Sequence, residues 1–155
     1  MKNFIIKVLV FLLTLFPSSE FLLANYQNAT YPGPTIITES VMNALKTDDV
    51  ATLEAMMNTY NKENIEDLHG KISAFIKVID GEIIEYTLGG GYDKDYSGYS
   101  LRSWGENIIT DTESYYLIIT WIVVNTRSPE KVGLSSITIF NSNNNLLAEV
   151  CAPQE

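Results

Sequence analysis

The spacing of apolar residues changes once along this chain, at Asp80-Gly81. Before this point apolar residues recur every three or four positions, which is typical of amphipathic helices. Beyond it they alternate or form continuous runs, as they do in β-strands. A helical half followed by a strand half predicts one α+β domain in which the helices pack on an antiparallel sheet.

The first two dozen residues have the layout of a secretory signal peptide. Lys2 and Lys7 precede an unbroken apolar run at residues 8–13, and Leu22-Leu23-Ala24 offers a cleavage point. We therefore predict a signal peptide over residues 1–24.

An uncleaved membrane anchor is the alternative to a signal peptide, since the apolar stretch approaches the roughly 20 residues that cross a bilayer. Pro17 and Glu20 interrupt the stretch and favour cleavage. In either case we expect an extracytoplasmic protein that is secreted or tethered to the membrane at its N-terminus. The polar residues 25–34 are predicted to be a linker, and residues 35–152 a single domain.

The charge balance limits the possible partners. The chain has 19 acidic and 10 basic residues and a net charge of −9. Phosphate backbones and anionic lipid surfaces repel such a chain, so we expect no nucleic-acid partner and no membrane contact beyond the N-terminal segment. Cys151 is the only cysteine, which excludes an internal disulfide and leaves either a buried thiol or one that pairs between chains.

Three helices are predicted before the change in spacing. The first spans residues 35–47, and the second follows Asp48 or Asp49, whose carboxylate can accept from free backbone amides. The third begins after Asn61 and buries an apolar stripe of about four turns, long enough to cross a whole sheet. The residues of this stripe are Ile65, Leu68, Ile72, Phe75, Ile76 and Ile79.

Strands are predicted after the change in spacing. They fall at residues 83–88, within 99–110, and at 115–125, 134–140 and 146–150. Both alternating faces of residues 115–125 are apolar, which predicts a central strand covered on both sides. Residues 89–98 are rich in Gly, Tyr and Asp and lack aliphatic side chains, so a mobile loop is expected there. One long helix before these strands suggests a strongly curved sheet folded around that helix.

Three segments resemble a known family: residues 43–50, the turn Asp80-Gly81-Glu82-Ile83 within residues 75–86, and residues 128–134. The family comprises uncharacterised, mostly lipid-anchored, exported bacterial proteins of the nuclear transport factor 2-like superfamily. The resemblance covers about residues 36–150. It implies a cone-shaped α+β domain with three N-terminal helices on a curved antiparallel sheet, and a possible homodimer through that sheet. Asn25 stands where lipid-anchored relatives have a cysteine, so acylation at that position is excluded.

One acidic segment resembles the opening of a calcium loop. Asp93, Asp95 and Ser97 alternate before Gly98, as the first ligands of such a loop do. The twelfth position is Trp104 rather than a bidentate Glu, which favours a polar turn over a calcium site. We expect neither a metal nor a cofactor.

Two sets of residues are candidates for a functional site. His69, the single histidine, together with Tyr116 or Tyr86, could transfer protons in an apolar cavity, although the sequence reveals no orienting partner. The aromatic residues of the strands could form the wall of a ligand site, and core packing explains them equally well. This aromatic set is Tyr86, Trp104, Tyr116 and Trp121.

No motif in the sequence defines a reaction. We therefore expect a non-enzymatic exported domain that binds a small apolar ligand or a protein partner. The alternatives are a proton-transfer enzyme of the isomerase or dehydratase type, and a module whose only role is to dimerise.

Overall fold

Four helices precede five strands in residues 31–152, the part of the chain that the computed structural model describes. This order confirms the predicted α+β class. The chain divides into two units, Met1–Pro32 and Gly33–Glu155, and all of these helices and strands belong to the second. The predicted signal peptide and most of the predicted linker lie outside the described residues. No helix within residues 31–152 is long and apolar enough to cross a membrane.

The first two helices follow the sequence prediction closely. Helix α1, Pro34–Lys46, begins with a proline, which fits the first helical turn because its missing N–H would have no acceptor there. Helix α2, Val50–Met56, is capped by Asp49, whose carboxylate accepts from the backbone N–H of Thr52 at 2.9 Å. The predicted cap at Asp48 or Asp49 is thus confirmed, with Asp49 in that position.

The predicted long third helix is wrong, because the structure divides it into two. Helix α3 spans Thr59–Asn64 and helix α4 spans Leu68–Ile76. Between them Ile65 is extended, and Asp67 is left-handed at φ 51° while its carboxylate caps α4 through the backbone N–H of Gly70. The apolar stripe continues through this break, which is why its spacing did not reveal the interruption. A helix the length of α4 extends only about 14 Å and is too short to cross the sheet.

The five strands form one antiparallel sheet in sequence order. They are β1 Ile83–Tyr96, β2 Tyr99–Thr110, β3 Ser114–Asn125, β4 Gly133–Asn141 and β5 Leu146–Val150. Strand β3 is central, as predicted. The predicted mobile loop at residues 89–98 is wrong, since most of it belongs to β1 and pairs with β2 across a tight turn at Ser97-Gly98. The loop was predicted because the segment lacks aliphatic side chains. Backbone hydrogen bonds to β2 order the segment without them.

The register of the strands separates two faces of the sheet. Trp104, Ile119 and Ile137 are direct cross-strand neighbours, and all three are buried. Helix α1 packs on this face, because the Trp104 indole N–H donates to the Thr38 hydroxyl at 2.8 Å. We call this the helix face and the other the open face.

On the open face of β3, Ile122 is buried, but Tyr116, Ile118 and Thr120 are only half-buried and Val124 is exposed. The predicted position of β3 in the middle of the sheet is therefore correct, while its predicted full coverage on both sides is not.

Candidate functional site

A cavity of about 470 Å³ lies on the open face of the sheet. Its walls come from the β1–β2 hairpin, from β3 and β4, from α3 and the residue before it, and from the chain segments after β3 and β5. The lining residues are Asn58, Tyr60, Asn61, Tyr92, Lys94, Tyr99, Leu101, Thr120, Ile122, Asn125, Lys131, Ser135, Ser136 and Ala152. Most of these side chains are polar, and none is acidic.

Strand register explains why distant parts of the chain meet in this cavity. Tyr92 lies opposite Ser103, Ser103 opposite Thr120, and Thr120 opposite Ser136, so these four side chains form one row across the open face. The hydroxyls of Ser103 and Thr120 are 3.1 Å apart, in agreement with this shared orientation. The length of the hairpin extends β1 far enough for Tyr92 to join the row.

Two buried asparagines fix the wall opposite the hairpin. The Asn61 side-chain amide donates to the carbonyls of Leu134 and Ser135 on β4, and its oxygen accepts from the Ala152 N–H at 3.0 Å. Asn58 accepts from the Asn61 N–H at 2.8 Å and donates to the Lys131 carbonyl at 3.0 Å. These bonds occupy both amide groups, so we assign them a structural role in holding the cavity open.

Two lysines line the same cavity. The Lys131 Nζ lies 4.2 Å from the centroid of the Tyr60 ring, and the Lys94 Nζ lies 5.5 Å from that of Tyr96. Neither lysine forms an ion pair with any of the described residues. Burial raises the pKa of the nearby Tyr99 phenol, which therefore stays protonated and able to donate a hydrogen bond.

The four aromatic residues predicted to bind a ligand lie elsewhere. Trp104 and Trp121 are buried on the helix face, each with 5% of its surface exposed. Tyr86 is half-buried on the same face, and the Lys46 ammonium lies 5.1 Å from its ring centroid. Tyr116 lies on the open face, outside the residues that line the 470 Å³ cavity.

The candidates for proton transfer are not brought together. His69, on α4, has a largely exposed side chain, and its Nδ1 lies 3.0 Å from a carboxylate oxygen of Glu54. Tyr116 lies on β3, on the face opposite α1, where it covers Gly105. The structure thus gives His69 an acidic neighbour on the surface and Tyr116 a packing contact.

The acidic segment at the hairpin tip is engaged by an arginine. The Arg102 guanidinium lies 2.7 Å from an Asp95 oxygen and 3.5 Å from Asp93. Hydrogen bonds from Arg102 and Ser100 hold the pKa of Asp95 below its usual value. Ser97 lies in the turn, and no group of metal-binding side chains occurs within residues 31–152.

Glu106 is a buried carboxyl group that the sequence analysis did not select. It is 1% exposed and lies on the helix face, where one oxygen accepts from the Thr38 hydroxyl at 2.7 Å. Among the described residues its other oxygen has no hydrogen-bond partner. Burial raises the pKa of this carboxyl, which favours the neutral acid. Its position two residues after Trp104 on β2 is the one sequence signal that could have indicated an inward-facing side chain.

Cys151 follows β5 and is a free, half-buried thiol. Burial, followed by the charge of Glu149, raises its pKa, so the thiol is protonated at neutral pH and reacts slowly. This environment favours the interpretation of Cys151 as a buried thiol over that of a thiol that pairs between chains.

A five-stranded antiparallel sheet with four helices packed against it, and a polar cavity on its open face, define a small α+β domain. Residues 40–142 match the family model described as "Domain of unknown function (DUF5104)", which extends from within α1 to the end of β4. The chain belongs to this family. None of the curated proteins matches it.

Proposed function

We propose that this domain is a non-enzymatic binding module that holds a small polar molecule in the cavity on the open face. The observation behind this proposal is the combination of a fixed cavity wall with two lysines, Lys94 and Lys131, that form no ion pair with the described residues. The asparagine bonds to β4 and to Ala152 keep the wall in place before any ligand arrives. A preformed site of this kind loses little conformational entropy when it binds.

The size and lining of the cavity support a ligand of modest size. A volume of about 470 Å³ is within the range of roughly 300–1,000 Å³ for small-molecule sites. Leu101, Ile122 and Ala152 are the aliphatic residues of the lining, and hydroxyl, amide and ammonium groups dominate the remainder. This lining favours a polar ligand over the apolar ligand expected from the sequence.

Self-association through β1 is a second candidate function. Strand β1 is an edge of the sheet, and an unpaired edge can add a strand from another chain. It also exposes large apolar side chains, with Ile84 at 65%, Leu88 at 64% and Tyr96 at 63%. Light scattering tests this candidate: a dimer that Leu88→Lys converts to a monomer would support it.

We further infer that the domain belongs to the nuclear transport factor 2-like superfamily and is exported. The order of helices before an antiparallel sheet supports the first inference, and the N-terminal sequence supports the second.

A binding screen with a cavity-filling variant tests the proposed function. The full chain is mixed with a panel of neutral, acidic and basic polar compounds, and backbone amide shifts are recorded by NMR. A ligand should perturb Thr120 and Ser136, and Ser136→Trp, which fills the cavity from β4, should abolish the effect. The matched control is Thr138→Trp, two positions along the same face and outside the lining. Binding that survives in Ser136→Trp would contradict the proposal.

A further inference from the structure

We propose that the ligand of this cavity is a small hydroxylated organic anion whose acidic group lies between Lys94 and Lys131. This inference rests on the proposed function and specifies the chemical class of the ligand. It extends to carboxylates and phosphates, because an ammonium group binds both.

The charges of the lining provide the first argument. The chain has nearly twice as many acidic as basic residues, yet the lining contains two lysines and no carboxylate. A site with unopposed ammonium groups attracts an anion and repels a cation. The cavity therefore favours an anionic ligand, although the chain as a whole is acidic.

The neighbouring carboxylates do not neutralise Lys94, which provides the second argument. Asp93 and Asp95 flank this lysine in the sequence, but alternation along β1 directs them to the opposite face of the hairpin. There both interact with Arg102. Lys94 remains on the open face as a cation with no acidic partner in the described structure.

The uncharged part of the lining suits a hydroxylated molecule. Tyr92 and Tyr99 offer flat rings with phenol tips, and Thr120 and Ser136 add hydroxyls on the floor. The Lys131 ammonium lies against the Tyr60 ring and the Lys94 ammonium against the Tyr96 ring, and these contacts restrict both groups before a ligand enters. In a ring with several hydroxyls and one acidic group, the hydroxyls match the phenols and hydroxyls of the lining, and the acidic group matches the two lysines.

Three probes that share a sugar ring test this inference. Glucose, glucuronate and glucose 6-phosphate are titrated into the full chain by calorimetry at low salt. We expect glucuronate, glucose 6-phosphate or both to bind at least about tenfold more tightly than glucose, equivalent to about 1.4 kcal/mol. The stronger of the two anions identifies the acidic group as a carboxylate or a phosphate.

Lysine variants test whether the preference for an anion arises from this cavity. Lys94→Gln and Lys131→Gln should each weaken the anion about tenfold, a loss of about 1.4 kcal/mol, and leave the affinity for glucose unchanged. Lys77→Gln is the matched control, because Lys77 is exposed at the end of α4 and outside the cavity.

Three results would overturn the inference. Glucose that binds as tightly as the anions, or anion binding that neither lysine variant changes, would refute the anionic ligand and leave the proposed polar site intact. If none of the three sugars binds, a hydroxylated anion is excluded, and the wider NMR panel then decides separately whether the cavity binds anything.

Discussion

Glu106 places a carboxyl group between the sheet and α1, with Thr38 as its bonded neighbour. The cross-strand neighbours of Glu106 are Leu88 and Leu117, which offer no charge to stabilise the ionised form. Burial raises its pKa in the folded state above the value in the unfolded chain. The folded state therefore binds more protons than the unfolded state once the pH exceeds the unfolded pKa, and stability should fall as the pH rises from there through the folded pKa.

Glu106→Gln tests this sign directly. Glutamine keeps the acceptor for Thr38 and removes the ionisation. The free energy of unfolding of the wild type, relative to Glu106→Gln, should decrease between pH 4 and pH 8 by at most about 1.4 kcal/mol per pH unit. Urea denaturation at several pH values measures this difference in the free energy of unfolding, and Glu130→Gln, at an exposed site, is the control variant. A difference that grows with pH would mean that Glu106 is ionised in the folded protein.

Gly105 leaves room for the phenol of Tyr116. A Cβ at Gly105 would overlap the Tyr116 hydroxyl and ring, and a Cβ at Gly89 would come within 3.2 Å of that ring. Tyr116 therefore contacts two glycine positions, one on the adjacent strand β2 and one on β1. We expect Gly105→Ala to destabilise the fold by about 1–3 kcal/mol, because the ring must leave its place.

A double-mutant cycle separates this contact from other effects of the alanine. In a Tyr116→Ala background, Gly105→Ala should cost close to nothing, since alanine has no intrinsic disadvantage against glycine within a strand. Unfolding in urea gives all four free energies. An equal cost in both backgrounds would show that Tyr116 is not what makes Gly105 necessary.

At the scale of elements, the spacing of apolar residues predicted the helices and strands whose side chains are buried. Helix α1 matched the prediction because its apolar side chains recur with the helical period and face the core. Strand β3 has apolar side chains on both faces, and this predicted its central position but not the partial exposure of one face. The continuation of β1 beyond residue 88 was missed for the converse reason. Residues 89–96 are ordered by backbone pairing with β2, and their side chains are mostly exposed, so no burial pattern marks them.

The break between α3 and α4 depends on one residue. Asp67 adopts a left-handed conformation and caps α4 through Gly70, two roles that Asn also performs. Asp67→Asn should therefore change stability little. Asp67→Ala loses the cap and retains the unfavourable backbone, for a combined cost of about 2 kcal/mol. Thermal unfolding compares the two variants, and equal melting temperatures would refute this account of the break.

The cavity lay beyond the reach of sequence analysis because it depends on register. Tyr92 and Ser136 share a row only because three successive strand pairings align them across β2 and β3. A shift of one residue in any of these pairings would direct one of the two side chains to the opposite face. The sequence did not indicate the two lysines as site residues either, because Lys94 falls in the segment predicted to be a loop and Lys131 in a predicted turn.

At the scale of the whole molecule, the fold extends beyond the family match at residues 40–142. Strand β5 follows the matched segment, pairs with β4 and packs against α4. Val150 is 1% exposed and Ala152 is 3% exposed. The Ala152 N–H also occupies the oxygen of Asn61, which ties the end of the chain to the cavity wall.

Removal of β5 should therefore destabilise the entire domain. A chain that ends at Asn145 uncovers one edge of β4 and one side of α4, and it leaves the Asn61 oxygen without its donor. Loss of buried Val150 alone costs about 1.5–3 kcal/mol, and an unsatisfied buried acceptor adds about 1–3 kcal/mol. Since a domain of this size is stable by about 5–15 kcal/mol, the truncated chain should unfold at much lower urea concentration than a control chain that ends at Ala152. Equal midpoints would mean that the segment matched by the family holds the fold together without β5.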